Sequence, residues 1–227
     1  MAWPTADEYS AAVQDPAFAL ADPELKTGRV ETTSLGLPRP RSGQFATVFR
    51  IECVDAAWAL RCFLTDMPDH ESRYRAISDA LRAARLPFMV DFEFQPQGIL
   101  IRGRRYPTLK MMWVEGDPLN KNIADHLQEP QRLASLSQQW LHVLKMMRDA
   151  GIAHGDLSDA NILVSDHQLR LVDYDGMFVP SLAGCSGKEC GRPSFQPPWR
   201  KLADFAPDLD NFAGWVIFLS LYAVTVR

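Results

Sequence analysis

The feature that most constrains the fold is a short polar loop at residues 154–161. It reads His-Gly-Asp-Leu-Ser-Asp-Ala-Asn and runs into an apolar segment, and a second polar motif, Asp-Tyr-Asp-Gly at residues 173–176, also follows an apolar run. Phosphoryl transfer requires magnesium held by hard oxygen ligands and a carboxylate beside the attacking hydroxyl group. The pattern therefore predicts a metal–phosphate site in which Asp156 orients the hydroxyl and Asn161 and Asp173 bind magnesium. In the competing interpretation, these residues only form the turns between a helix and two strands.

Composition limits the classes of function. The 227 residues suffice for one large domain or two small lobes. The 24 Lys and Arg residues and 28 Asp and Glu residues give a net charge of -4, which argues against a dedicated nucleic-acid binder. The start does not resemble a signal peptide, and the four cysteines lack C-x-x-C spacing, so we expect a cytoplasmic protein with reduced thiols. The apolar run at residues 212–226 is shorter than the roughly 20 residues of a membrane span, and we expect a buried core helix there.

Residue patterns predict an α+β protein. Thr5 and Glu8 form a capping-box pair that predicts a helix over residues 6–13. Helical spacing of apolar residues predicts further helices over residues 69–85 and before Gly151. Strands are predicted at residues 45–52, 58–64, 89–94, 99–102, 108–114, 161–164 and 169–172. A β-rich region is thus expected to precede a mainly helical one, with the junction near residues 114–119.

The two polar motifs resemble those of the protein-kinase superfamily, whose catalytic loop reads H-R-D-L-x-x-x-N and whose metal-binding motif reads D-F-G. Residues 41–48 resemble a glycine-rich loop, residues 58–61 the strand that carries the phosphate-binding lysine, and residues 109–116 the hinge between lobes. Residues 191–198 resemble the end of an activation segment, and Asp210 resembles the anchor of the catalytic loop backbone. The overall likeness is to bacterial kinases of the eukaryotic type.

This resemblance implies a bilobal fold, with a small antiparallel β-sheet lobe plus one helix and a larger, mainly helical lobe. It implies an N-terminal extension at 1–40 packing on a small lobe at 41–114, and a large lobe at 115–227 that ends in the sixth helix of the family. The implied activity is ATP- and magnesium-dependent transfer of a γ-phosphoryl group to a hydroxyl of an unknown protein substrate, suspected to be of the Ser/Thr type. The implied catalytic residues are Asp156, Asn161, Asp173 and Arg61, with magnesium on Asn161 and Asp173. The implied nucleotide contacts are Gly43, Phe45, Val48, Ala59, Arg61, Met111, Met112, Val114 and Leu163.

Several positions depart from the family pattern. Arg61 replaces the phosphate-binding lysine, and the slot of that lysine's usual glutamate partner falls on Ile77. Gly155 replaces the loop arginine that pairs with a phosphorylated activation segment. Ser158 and Arg192 replace the lysine and threonine that meet on the substrate side of serine/threonine kinases.

These departures leave two alternatives to an active protein kinase. One is a pseudokinase or scaffold that binds nucleotide without turnover, which the arginine at position 61 and the reduced glycine loop favour. The other is a small-molecule kinase of the aminoglycoside or choline type, or a Rio-like kinase. Those families often read H-G-D-L without the following lysine, as this chain does.

Overall fold

The computed structural model describes residues 2–43, 45–66 and 69–226, and it divides the chain into two compact units. The first unit comprises Met1–Arg75 and Asp91–Trp113, and the second comprises Ala76–Val90 and Val114–Arg227. Both contain antiparallel strands and helical residues, so the predicted α+β class is confirmed.

The first unit is built around an antiparallel sheet. Its strands are β1 Arg29–Val30, β2 Arg41–Ser42, β3 Ala46–Glu52, β4 Ala57–Phe63, β5 Phe92–Ile101 and β6 Arg104–Met112. They lie in the order β1-β3-β4-β6-β5, and β2 also pairs with β3. Three short helices precede the sheet: α1 Ala6–Ala12, α2 Pro16–Ala19 and α3 Pro23–Lys26. Helix α4, His70–Ala84, starts in the first unit and continues into the second.

One face of this sheet is covered by the N-terminal helices. Because side chains alternate along a strand, Phe49 and Ile51 of β3 project to the same face, and both are fully buried. They belong to a core cluster that also contains Tyr9 and Leu25 from the helices. The predicted capping box of α1 is present, with the Thr5 side chain accepting from the Glu8 N–H. Residues before the sheet are therefore part of the hydrophobic core of this unit.

A largely buried ion cluster joins α3 to the sheet. Lys110 of β6 is 7% exposed, and its Nζ lies 3.1 Å from Asp22 and 2.7 Å from Glu24. The same ammonium lies 4.3 Å from the ring centroid of Trp58, whose indole N–H donates to Glu24. Burial alone would raise the pKa of Asp22, but its bonds with the Leu25 N–H and Lys110 outweigh burial and lower it. Burial alone would lower the pKa of Lys110, but its bonds to Glu24 and Asp22 raise it instead.

Replacing Lys110 with methionine is expected to lower the free energy of unfolding by about 3 kcal/mol at neutral pH, because two carboxylates lose their cation. Because folding lowers the pKa of Asp22, the carboxylate stabilises the folded state above its ordinary pKa, and this stability is lost as the pH falls through the folded pKa. Because folding raises the pKa of Lys110, the ammonium stabilises the folded state below its ordinary pKa, and this stability is lost as the pH rises through the folded pKa. Urea unfolding of the wild type and of Lys110→Met should therefore show a difference in the free energy of unfolding that is constant near neutral pH and becomes smaller in acid. A difference that becomes larger at pH 3 would contradict this account.

The second unit combines helices with a small sheet. Its helices are α5 Leu119–Asp125, α6 Pro130–Asp149 and α7 Asn211–Thr225, and its strands are β7 Asp117–Pro118, β8 Ile162–Ser165 and β9 Gln168–Leu171. The strands lie in the order β7-β8-β9. Asp166 and His167 have φ values of 48° and 62°, as a two-residue type I′ hairpin requires. Helix α6 ends as predicted, with Gly151 at φ 66°.

Two expectations about secondary structure were wrong in part. The strands predicted at 89–94 and 99–102 are one strand, β5, with a register irregularity between Gln95 and Ile99. The prediction divided this strand in two because Pro96 and Gly98, which lie inside the irregularity, are residues that usually interrupt strands. Residues 89–91 lie outside β5, and the Val90 N–H donates to the Tyr174 hydroxyl instead.

The final apolar run is a helix, but it is not buried on all sides. In α7, Ile217 and Leu221 are buried, whereas Trp215, Leu219 and Tyr222 are 62%, 57% and 53% exposed. Helix α6 covers one side of α7, where the Trp140 indole donates to the Gly214 carbonyl and the Leu144 side chain lies against Gly214. Among the described residues, no helix is both long and apolar enough to cross a membrane.

Candidate functional site

The predicted site residues are distributed over both units. The first unit contains Gly43, Phe45, Val48, Ala59, Arg61, Met111 and Met112, and the second contains Val114, Asp156, Asn161, Leu163 and Asp173. Val114 follows β6 after Trp113, and Leu163 is half-buried in β8.

In the first unit, most of the predicted nucleotide contacts share one face of the sheet. Val48 pairs with Arg61, and Ala59 pairs with Met111, so the two rows lie on the same face, opposite the N-terminal helices. Met112 pairs with Trp58 and projects to the other face, so only its backbone is available on the predicted side. Gly43 and Phe45 lie in the turn between β2 and β3, where the Gly43 N–H donates to the Ala46 carbonyl.

The same face carries a stack that the sequence analysis missed. The guanidinium of Arg41 lies 4.4 Å from the ring centroid of Trp113, and that of Arg50 lies 5.6 Å from it. Arg41 pairs with Val48, and Arg50 pairs with Ala59, which places both arginines on the face of the predicted nucleotide contacts. Residues 48 and 50 are two apart in one strand, so the alternation of side chains along a strand could have predicted that Arg50 lies on the same face as Val48.

In the second unit, Asp210 holds the backbone of the polar loop. Its two carboxylate oxygens accept from the His154 N–H at 2.5 Å and from the Gly155 N–H at 2.8 Å. Asp210 is 8% exposed, so burial raises the pKa of its carboxyl, against the opposing effects of His154 and of the two N–H bonds. Asp210 directly precedes α7, and this link ties the start of the loop to the start of that helix.

The His154 ring is also held from within the second unit. Its Nε2 lies 3.0 Å from the Val172 carbonyl oxygen, and a carbonyl can only accept, so Nε2 carries the hydrogen. Tyr174 lies edge-on to the ring, and its hydroxyl donates to the Leu171 carbonyl while accepting from the Val90 N–H at 2.6 Å. The loop and the motif at 173–176 are thereby held by one buried network.

Two glycines bring these motifs into backbone contact. Ala153 and Phe178 exchange backbone hydrogen bonds of 3.0 and 2.8 Å, which runs the two segments antiparallel. Gly155 has φ +80°, and a Cβ placed on it would lie 2.0 Å from the Gly176 carbonyl oxygen. The backbone therefore leaves no room for a side chain at position 155.

Asp156 and Asn161 are in direct contact. The Asn161 amide nitrogen donates to Oδ2 and to the backbone carbonyl of Asp156, both at 2.8 Å. Both partners are acceptors, so the nitrogen of the amide must face them and its oxygen takes no part in these two bonds. Amide and carboxylate oxygens are the hard donors that magnesium prefers, so Asn161 and Asp173 fit a magnesium ion by their chemistry.

Asp173 has an uncommon backbone conformation. Its φ is +68°, in the left-handed region that costs a residue other than glycine about 1–3 kcal/mol and that clusters at functional sites. The residues that follow are constrained by the buried Tyr174 and by the contact of Gly176 with Gly155. The surrounding packing therefore fixes the backbone beside Asp173.

The structure also places Arg192 beside this loop, in a pairing with Asp156 and Asp159 that the sequence analysis did not predict. The Arg192 N–H donates to Asp156 Oδ1 at 2.9 Å, and its guanidinium bonds Asp159 Oδ1 at 2.8 Å. The two segments are separated by more than thirty positions in the sequence, and neither residue carries a local signal of the pairing. Both oxygens of the Asp156 carboxylate are therefore held, one by Asn161 and one by Arg192.

Neither a scan against protein-family models nor a search of curated proteins found a match to this chain. Functional inference consequently depends on the arrangement of the residues described above.

Proposed function

We propose that this chain is a protein-kinase-like phosphotransferase that uses ATP and magnesium. In this proposal the first unit is the small lobe of a bilobal fold and the second is the large lobe. Asp156 orients the acceptor hydroxyl and takes its proton, while Asn161 and Asp173 hold magnesium, which would neutralise charge on the transferred phosphoryl group. Arg61, on the face of the sheet that carries Val48 and Ala59, is proposed to bind the phosphates.

The observation that carries the proposal is the order imposed on the loop at 154–161. Asp210 accepts from two successive N–H groups of the loop, and the Asn161 amide bonds Asp156. Loops that only make turns are held by their own local bonds, whereas this loop is held by a buried carboxylate more than fifty residues away. Such anchoring supports a loop that must keep a carboxylate and an amide in defined positions.

A specific observation favours a second candidate, a pseudokinase or scaffold that does not turn nucleotide over. Arg41 and Arg50 stack on Trp113, on the same face as Val48 and Ala59. Stacked guanidinium groups on this face compete for the surface that a nucleotide base would use. Arg61 also differs in geometry from the lysine of the family, since a planar fork replaces a compact ammonium.

The test is phosphoryl transfer from labelled Mg-ATP to the protein itself and to a generic protein substrate. Asp156→Asn is expected to lower the rate by about 10³-fold, because the group that takes the proton is lost. Asp166→Asn is the matched control: Asp166 is an acid in the hairpin turn of the same unit at φ 48°, a conformation that asparagine tolerates. It should transfer at the wild-type rate.

Thermal shift with Mg-ATP separates the two candidates. Nucleotide that binds the folded state raises the melting temperature whether or not it reacts. A shift without transfer would favour the pseudokinase, and transfer at the wild-type rate by Asp156→Asn would refute the role given to Asp156. Transfer to a metabolite but to no protein would favour a small-molecule kinase.

A further inference from the structure

We propose that Gly191 and Arg192 form a latch that positions Asp156 for the transfer step, with Asp159 as the counter-ion that holds the latch closed. This inference rests on the proposed function for its kinetic consequences, whereas the latch itself is a structural claim. Arg192 is a positioning residue, because it contacts the proposed proton acceptor and neither of the reactants.

Three contacts define the latch. The Arg192 N–H donates to Asp156 Oδ1 at 2.9 Å, and the Arg192 guanidinium bonds Asp159 Oδ1 at 2.8 Å. Gly191 has φ +73°, and a Cβ placed on it would lie 2.7 Å from Asp156 Oδ1 and 2.7 Å from Gln196 Nε2. A side chain at position 191 would therefore have to displace the Asp156 carboxylate and the Gln196 amide.

The energetics of the ion pair favour a positioning role over a stabilising one. The Arg192 and Asp159 side chains are 52% and 26% exposed, and partly exposed ion pairs contribute little to stability because solvent screens them. The pair does, however, fix residue 192 beside the loop, and its backbone N–H then orients one carboxylate oxygen. With Asn161 on the other oxygen, rotation of the Asp156 carboxylate is restricted from both sides.

This arrangement also replaces a contact that the family pattern would build from a loop lysine and a segment threonine. In this chain the cation, Arg192, is on the segment at 191–198, and the acid, Asp159, is on the loop at 154–161. The bond to the Asp156 carboxylate comes from the backbone N–H of Arg192. A backbone donor is independent of the side chain at position 192. Loss of the Arg192 side chain should therefore loosen the latch without removing the donor.

The first experiment compares Gly191→Ala with Gly184→Ala. Gly184 has φ +85° in the same unit, and no atom lies within 4 Å of a Cβ placed on it, so both variants have similar backbone strain and only Gly191→Ala displaces Asp156. Gly191→Ala is expected to lower kcat by about 10²-fold, the order of effect of a small misplacement of a catalytic group. Its KM for ATP should stay within about twofold, and Gly184→Ala should keep the wild-type kcat.

The second experiment reverses the ion pair. Arg192→Glu and Asp159→Arg should each lower kcat by about tenfold, and the double variant should recover most of the loss, because an opposite-charge pair is restored. A double variant that is no better than either single variant, or a rise in kcat on Arg192→Ala, would overturn the positioning role. A rise would show instead that the segment obstructs Asp156.

Amide hydrogen exchange tests the latch without any turnover. The Arg192 N–H should be protected in the wild type and should exchange about tenfold faster in Arg192→Ala and Asp159→Asn, because the segment opens more often. If the wild type transfers no phosphoryl group but this protection is seen, the proposed function fails and the latch stands. If transfer is seen but the amide is unprotected in the wild type, the latch fails and the proposed function stands.

Discussion

Replacing Gly155 with alanine is expected to lower the free energy of unfolding by about 3 kcal/mol or more. At φ +80° an alanine is strained, which costs about 1–2 kcal/mol. The added Cβ would also lie 2.0 Å from the oxygen and 2.7 Å from the carbon of the Gly176 carbonyl. These are backbone atoms held by the Ala153–Phe178 bridge, so the clash can be relieved only by moving the main chain. Overpacking of this kind typically costs a further amount of about 1–3 kcal/mol.

Urea unfolding of Gly155→Ala beside Gly151→Ala measures this effect. Gly151 also has a positive φ, +66°, but its added Cβ would meet only the Pro180 side chain at an ordinary 3.5 Å. Gly151→Ala should therefore show only the conformational cost of about 1–2 kcal/mol. Equal losses in the two variants would mean that the contact between Gly155 and Gly176 is unimportant. The arginine of the kinase pattern should be tolerated even less than alanine at position 155.

Replacing Asp210 with alanine is expected to lower the free energy of unfolding by about 3–5 kcal/mol. The change removes the acceptor of two N–H groups, those of His154 and Gly155. A buried donor without an acceptor costs about 1–3 kcal/mol, and two are created here at a site where the carboxylate is only 8% exposed. Under the proposed function, phosphoryl transfer should also be lost, because the loop that carries Asp156 is no longer anchored.

Two variants control this experiment. Asp210→Asn keeps one side-chain oxygen, which can still accept from one of the two N–H groups. Its free energy of unfolding should therefore fall by about half as much as that of Asp210→Ala. Asp208→Ala removes an exposed carboxylate two positions away and should change the free energy of unfolding by no more than about 0.5 kcal/mol. A loss in Asp210→Ala no larger than that in Asp208→Ala would refute the anchoring role.

Secondary structure was predictable wherever local chemistry decides it. The capping box of Thr5 and Glu8, the apolar face of α6 and the stop at Gly151 each involve residues within a few positions of one another. Prediction was wrong in part for α7, because a run of apolar residues shows that a helix is hydrophobic but not which of its sides are covered. The described structure buries Ile217 and Leu221 and leaves Trp215 exposed.

By itself, the sequence determined the α+β class, the identity of the residues in the polar loop and the expectation that Asp156, Asn161 and Asp173 act together. Their types and short spacings carry that information. Only the tertiary structure decided that Asp156 is held by the Arg192 N–H, that Gly155 and Gly176 touch, and that Asp173 is in the left-handed region. These features depend on chain segments brought together by packing, and a contact between distant segments leaves no local pattern in a single sequence.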